Sequence, residues 1–426
     1  MGGILFIAFF ILLLLNVPIA VCLGAAAVIA MGVDGGTSLV AIPQAMFTSV
    51  NSFSLMAIPF FILAGNVMAT GGISKRLVNF ANLLVGGIKG GLSMAAILAS
   101  MIFAAISGSC PATTAAIGSI MLPEMEKNGY KTDFSAATVA AAGTVGQVIP
   151  PSVPMVTFCV LGGCSVGTLF MAGILPGILM GVVMMVISYI YAVKHKIIPA
   201  REKKSLKEIL HVLIDSIWAI LMPVIILGGI YSGVFTPTES AAVAVIYGLL
   251  VGTFIYRDLK LKDIVKILND SAAGTAVIML IMATAGGFSW ILTSERIPQL
   301  IATTLLGLTS NKYVLLFLFN IVLLIAGCFL NPSAAVILLT PIMLPVLTAV
   351  GVSPYLVGIV MIVNLAVGQI TPPVGSCLYV ACNIAHIKLE PLVKAILPYL
   401  IALIATIFVI TYIEPISLAI PQMLAG

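Results

Sequence analysis

The residues best suited to chemistry in this chain carry no charge. Ser107 and Ser109 flank Gly108 inside an otherwise apolar stretch, and the pattern V-G-Q-x-x-P-P occurs twice, at residues 145–151 and 367–373. Proline lacks a backbone donor and clashes with the carbonyl four residues earlier, so paired prolines downstream of a glycine unwind a helix and free its carbonyls. Inside a bilayer such carbonyls are costly unless they line a cavity or meet a ligand. A single motif of this kind reads equally well as a proline kink steadied by a nearby Ser or Thr, and an isolated serine usually bonds a preceding carbonyl. Two copies, each following a hairpin-like turn, point instead to a pair of ion sites.

Charge narrows the choice of ion. Between Lys312 and Lys388 there is no Asp, Glu, Lys or Arg, and residues 134–193 are equally free of them. A proton-coupled carrier keeps a titratable carboxylate or histidine at depth, and neither candidate site contains one. What remains is the hydroxyls of Ser107, Ser109 and Thr371 together with broken-helix carbonyls, an uncharged oxygen set suited to sodium. The turns next to these motifs would also aim helix N-termini, with their positive dipole ends, at an anionic substrate. His195, His211 and His386 lie far apart without ligand spacing, and the seven cysteines all fall in apolar stretches. Neither a disulfide framework nor a metal centre other than sodium is indicated.

The elements that must position these groups are membrane helices. The chain has 426 residues, 61% of them hydrophobic and 8% charged, with a mean hydropathy of +1.25, whereas globular chains carry about 25% charged residues. At roughly 20 apolar residues per crossing there is room for ten to twelve spans. The 39 Gly and 23 Pro imply that some are broken. The first apolar stretch, residues 3–30, lacks a basic leader and a small-residue cleavage site, and reads as two short elements meeting near Pro18 rather than as a signal peptide. Stretches 92–123 and 313–346 are too long for one helix and are interrupted at residues 107–111 and 327–332, which predicts re-entrant hairpins.

An internal repeat appears at an offset of 222 residues. Ile120-Met121-Leu122-Pro123 matches Ile342-Met343-Leu344-Pro345, Gly129 matches Gly351, Val145-Gly146-Gln147 matches Val367-Gly368-Gln369, and Pro150-Pro151 matches Pro372-Pro373. Following the alternation of spans puts all but two of the 19 basic residues, Arg296 and Lys312, on one face. By the positive-inside rule that face is the cytoplasm. The net charge of +5 therefore reports topology and implies contact with membrane lipid rather than nucleic acid. The second half starts on the opposite side from the first, so the repeats are expected to be inverted. The first repeat covers 1–193, with its hairpin at about 92–126 and broken helix at about 135–160. A cytoplasmic linker covers 194–208, and the second repeat covers 209–426, with its hairpin at about 313–346 and broken helix at about 354–384. The architecture expected is an all-α polytopic protein with hairpins opening to opposite faces, the geometry of alternating access.

The motifs Ala57-Ile58-Pro59-Phe60-Phe61-Ile62-Leu63-Ala64-Gly65, Ser107-Gly108-Ser109 with the run to Pro123-Glu124-Met125, Gly146 to Pro151, Thr236-Pro237-Thr238-Glu239 and Gly368 to Pro373 together resemble the large membrane subunit of tripartite ATP-independent periplasmic (TRAP) transporters. The resemblance covers nearly the whole chain. It implies an elevator-type, sodium-coupled carrier in a bacterial or archaeal inner membrane that imports an organic acid anion, such as a C4-dicarboxylate, sialic acid or a keto acid. A periplasmic substrate-binding protein would deliver the anion, and a small four-helix membrane subunit would brace the carrier. Carried over by position, one sodium site would use Ser107, Ser109, Gly146, Ile149 and Pro151, and the other Gly327, Gly368, Thr371 and Val374. Gly108, Asn331 and Arg296 are the substrate candidates. Asn331 departs from the family pattern, which is often acidic there.

Thr236 to Glu239 read locally as a capping box, with Thr236 as N-cap and Glu239 at N3. A stand-alone sodium-coupled carboxylate carrier is the nearest rival reading. An intramembrane transferase would need acidic clusters for magnesium or a nucleophile with its base, and the apolar segments hold neither. The expectation is a transporter and not an enzyme, with sodium ions as coupling ions and no other cofactor.

Overall fold

Glycine and proline cut the apolar chain into many helices of unequal length. The computed structural model describes residues 1–35, 38–197 and 205–425, and among these it contains twenty α-helices and no strand. Positions 198–204 of the expected linker lie outside the described residues. Eight helices are long and apolar enough to cross a membrane, fewer than the crossings for which composition leaves room. The reason is physical. Several elements are half-length pieces such as Val153–Gly162 and Ser376–Ala385, shorter than the roughly 20 residues that one crossing needs.

The interruptions fall where the sequence places them. Helices Gly91–Ser107 and Cys110–Lys127 form a first hairpin around the turn Gly108-Ser109. Lys312–Phe329 and Pro332–Ala349 form a second around Leu330-Asn331. Each is followed by a broken helix. In the first, Thr132–Gly143 runs through a tighter turn at Thr144–Gln147, unwinds, and resumes as Val153–Gly162. In the second, Pro354–Gly368 unwinds and resumes as Ser376–Ala385. Shifted by 222 residues, the first hairpin falls on 313–329 and 332–349, the second hairpin to within one residue. The bonds between Pro150 and Pro151 and between Pro372 and Pro373 are both cis.

The first halves of the broken helices are the deepest parts of the molecule. Every residue from 134 to 148 and from 356 to 370 is buried, which fits sequences that are apolar on all faces. Small residues such as Ala136, Ala137, Ala140 and Ala141 let the neighbouring helices come close. Polar ties across this centre are few. The Tyr399 hydroxyl meets Thr138 Oγ1 at 2.9 Å and Ser188 Oγ at 2.8 Å, joining the first broken helix to the long helices Val166–Lys194 and Leu389–Tyr412. In the other half Asn364 Nδ2 donates to Asn320 Oδ1 at 2.6 Å, and Asn320 Nδ2 donates to Thr411 Oγ1 at 3.2 Å.

Four elements flank this centre without having stood out in the sequence. Ala41–Val50 packs along the long helix Leu261–Ser294. The amphipathic helix Ile73–Val85 and its counterpart Ile297–Leu308 each lead into a hairpin. The short Pro415–Ala425 closes the described chain against Val166–Lys194. Leu261–Ser294 also begins well before the apolar stretch that marks it, because charged Lys262, Asp263, Lys266 and Asp270 occupy its first turns.

One ion cluster ties two helices and the loop at residues 256–258 to one another. Arg76, on Ile73–Val85, donates to the Gly72 carbonyl at 3.0 Å and pairs with Asp258 and, at 3.4 Å, with Asp215 of Leu206–Tyr231. Its guanidinium lies 4.1 Å from the Tyr256 ring centre, and the Tyr256 hydroxyl donates to the Asp215 carbonyl at 2.7 Å. The Arg76 side chain is 16% exposed and its carboxylates 40–44% exposed, which places the cluster between surface pairs and buried ones. Replacing Arg76 by Ala should cost roughly 1–3 kcal/mol and lower the melting temperature in detergent. Lysine at this position should recover little, because it lacks the planar fork that serves two carboxylates and a ring at once.

Candidate functional site

A cavity of about 240 Å³ lies where the two hairpin turns meet. The first turn contributes Ser107, Gly108, Ser109 and Pro111. The second contributes Asn331, Pro332 and Ser333, and each broken helix adds one amide, Gln147 and Gln369. The far wall comes from Ile62, Gly65 and Asn66 of Ala57–Thr70 and from Gly274 and Ile278 of Leu261–Ser294. None of the lining residues is ionisable. Three helix N-termini open on the cavity, at Pro111, at Pro332 and at Val153-Pro154. Their aligned dipoles give the site a positive character without a formal charge.

Backbone contact builds the first of the two residue groups expected from the sequence. Gly108 sits in the left-handed region at φ 62° and ends the first arm of the hairpin. A Cβ there would come within 2.9 Å of the Pro151 carbonyl oxygen, so the turn rests on the unwound segment. A Cβ on Gly146 would lie 2.6 Å from the Ser109 carbonyl oxygen and 2.5 Å from Thr113 Oγ1. Ser107 Oγ is 2.7 Å from Thr113 Oγ1. The structure thus brings Ser107, Ser109, Gly146 and Pro151 together. Ile149 belongs to the same unwound segment, but its side chain packs against Gly177 of the long helix outside. Gly65, the end of the Ala57–Gly65 motif, lies against the Ser107 backbone, where a Cβ would be 3.3 Å from Ser107 Cα.

The second group is tighter still. A Cβ on Gly368 would come within 2.5 Å of Gly327 Cα, so the hairpin arm and the broken helix touch backbone to backbone. Gly327 and Val374 line a smaller cavity of about 150 Å³ with Asn331, Gln369 and Ser376. Thr371 is half-buried, and its hydroxyl donates to the Val367 carbonyl at 2.9 Å. That bond uses the hydroxyl proton and leaves the oxygen lone pairs available to a cation. Asn331 acts as N-cap, its Oδ1 accepting from the Ser333 N–H at 3.0 Å.

Arg296 is not brought to either cavity. It occupies the exposed turn between Leu261–Ser294 and Ile297–Leu308 at φ 53°, so the substrate role expected of it finds no support in the geometry. Glu239 and Thr236 form the expected reciprocal cap, with Glu239 N–H to Thr236 Oγ1 at 3.2 Å and Thr236 N–H to Glu239 Oε2 at 2.8 Å. The residues missing from the sequence-based site are the two glutamines and Asn66. Gln147 is 3% exposed, and its Nε2 has no hydrogen-bond partner among the described residues. The signal was present in the sequence, since Gln147 and Gln369 are the central identity of the duplicated motif.

The sequence matches the family model described as tripartite ATP-independent periplasmic transporter, DctM component, over residues 6–416. It is 46% identical over 379 residues to the C4-dicarboxylate TRAP transporter large permease protein DctM of Pseudomonas aeruginosa, spanning 89% of this chain and 88% of that one. It is 44% identical over 423 residues to the isethionate TRAP transporter permease protein DctMQ of Oleidesulfovibrio alaskensis, spanning 99% of this chain and 66% of that relative's length. The fold is similar to that of the YdaH transporter of Alcanivorax borkumensis, with a TM-score of 0.68 over 96% of this chain and 97% of that one at 16% identity.

The Gly327–Gly368 crossing generates a sharp expectation. Gly368→Ala should push the hairpin arm off the broken helix, because the added methyl meets backbone that cannot rotate away, and should abolish the stabilisation of the purified protein by sodium that the expected second site would provide. Gly307→Ala, where an added Cβ meets nothing within 4 Å, should leave that stabilisation unchanged. Thermal melts with sodium or with choline as the cation read both.

Proposed function

The chain belongs to the DctM-component family of tripartite ATP-independent periplasmic transporters, and from that membership we propose that it is the large permease of a sodium-coupled importer of small organic acid anions. The cargo would be handed over by a periplasmic binding protein, a small four-helix membrane subunit would brace the permease, and the complex would sit in the inner membrane. The observation that supports this reading most is the central cavity, which joins both hairpin turns and both broken helices and has no ionisable lining residue. An anion there is held by helix N-termini and by the free Nε2 of Gln147. Carboxylate oxygens are natural acceptors for such donors. The relative from Pseudomonas aeruginosa is named for C4-dicarboxylates, and a small carboxylate is the substrate class we assign.

Sodium is the second cargo. The first site would use Ser107, Ser109 and the carbonyls of Gly146, Ile149 and Pro151. The second would use Gly327, Gly368, Thr371 and Val374. In the first half hydroxyls come from the hairpin turn, whereas in the second the repeat mate of Ile149 is Thr371, so the hydroxyl comes from the broken helix. The two halves are read as inverted repeats whose hairpins re-enter from opposite faces. Both hairpins and both broken helices would move as one body against Ala57–Thr70 and Leu261–Ser294, the elevator motion. Asn331, as the cap of the second hairpin, keeps its Nδ2 free for substrate.

Three measurements test this reading. Uptake by the reconstituted complex should require a sodium gradient and no ATP. Uptake of equal size in sodium-free buffer under a proton gradient would overturn the coupling, and saturable uptake by this chain alone would favour a stand-alone carrier. Thr371→Val should fold normally and raise the sodium concentration for half-maximal uptake roughly tenfold, the scale of one contact to a charged group. Cysteines placed at the exposed hairpin feet, Glu126→Cys and Ser310→Cys on a background lacking native cysteines, should label from opposite faces of the membrane. Labelling from one face would refute the inversion.

A further inference from the structure

A second cavity, of about 370 Å³, lies far from the ion-site residues, where the start of Thr132–Gly143, the end of Val166–Lys194 and the first turns of Leu389–Tyr412 converge. Lys131, Lys194, Lys394 and His195 line it, against one carboxylate, Asp133. Asp133 is turned to its own helix start, accepting from the Phe134 N–H at 2.7 Å. At the rim Glu390 meets Lys394 at 3.2 Å, but both side chains are more than three-quarters exposed, so the pair neutralises little in water. The lining therefore keeps an excess of mobile ammonium groups around a preformed recess.

The recess is rigid below and apolar to one side. Phe134 and Tyr191 stack with ring centres 3.4 Å apart, and His195 lies 4.2 Å from Tyr191. Tyr399 forms the base, its hydroxyl held by Thr138 and Ser188. Ile187, Ile190 and Pro398 make the side wall. That wall continues along the outside of two membrane-length helices through Val186, Ile190, Leu397 and Ile401, which are 47–66% exposed. A ligand that fits must combine an anionic head with hydrocarbon running down a helix groove.

We propose that this cleft binds the headgroup of an anionic phospholipid, its phosphate among Lys131, Lys194 and Lys394 and its acyl chains along the apolar strip. Basic recesses between helices at the cytoplasmic face are where such headgroups bind, and each lysine near an anionic leaflet contributes about fivefold in affinity. The chemistry shared with a free phosphate ester is the phosphate itself. The apolar strip is what selects the lipid. Since two of the three helices come from the first half of the chain and the third from the second, the lipid would hold the halves together at this end.

The test uses the full-length protein in neutral detergent, with native mass spectrometry and thermal melts as readouts. The probes are phosphatidylglycerol, phosphatidylcholine and soluble glycerol 3-phosphate. Phosphatidylglycerol should bind the wild-type protein and raise its melting temperature well beyond either other probe. Equal effects of phosphatidylcholine would overturn the charge selectivity, and equal effects of glycerol 3-phosphate would make this a free-anion site. The Lys131→Gln/Lys194→Gln/Lys394→Gln variant should bind phosphatidylglycerol about a hundredfold more weakly, what three such contributions supply. Lys75→Gln/Lys262→Gln/Lys266→Gln, which removes the same charge elsewhere, should bind as wild type. Equal loss in both variants, or loss in neither, would sink the proposal, and the wild-type comparison of lipids decides the matter even if a variant misfolds.

Discussion

A peptide group without a hydrogen-bond partner is tolerated in water and costly in hydrocarbon, and this asymmetry governs the architecture. Each V-G-Q-x-x-P-P segment breaks a helix at depth, so each needs a wall of protein around it. The two hairpins supply that wall. They do so at close range because glycine stands at the crossings: Gly146 under Ser109, and Gly327 against Gly368. The remaining helices enclose this assembly, and the burial of residues 134–148 and 356–370 on every side follows.

Much of this was legible in the sequence because the strongest signals are punctuation. Paired prolines and the glycine-containing turns located both hairpins and both breaks, and the 222-residue offset tied them together. The capping box at Thr236 could be read residue by residue, since a cap is a local arrangement. What escaped depends on three dimensions or on weak periodicity. Ile73–Val85 carries its apolar face on Leu77, Val78 and Ala81 among polar neighbours, so a search for apolar runs passes over it. Gln147 and Gln369 were visible as identities, but only the folded chain shows that both amides reach one cavity. Arg296 illustrates the converse: the expected orientation made it conspicuous, and the structure places it in an exposed turn away from both cavities.

The two halves solve one problem with different chemistry. In the first, hydroxyls gather at the turn, with Ser107 and Thr113 in mutual contact. In the second, the hairpin turn has Leu330 and Asn331 where the first has Gly108 and Ser109, and direct glycine contact takes over. On the proposed reading, duplication supplied the frame, and divergence moved the candidate oxygen ligands from the hairpin in one half to the broken helix in the other. The inter-half ties differ too, since the Tyr399 hydroxyl joins elements of both halves while the Asn320–Asn364–Thr411 network stays within the second.

The absence of ionisable side chains around the central cavity has an electrical consequence. Moving one elementary charge through a membrane potential of 100 mV is worth about 2.3 kcal/mol. On the proposed mechanism the uncharged walls of the cavity add nothing to the charge displaced as the cavity moves. The net charge carried per cycle is the sum of the sodium ions and the anion they accompany, so the reversal potential of the transport current gives the ion-to-anion ratio directly.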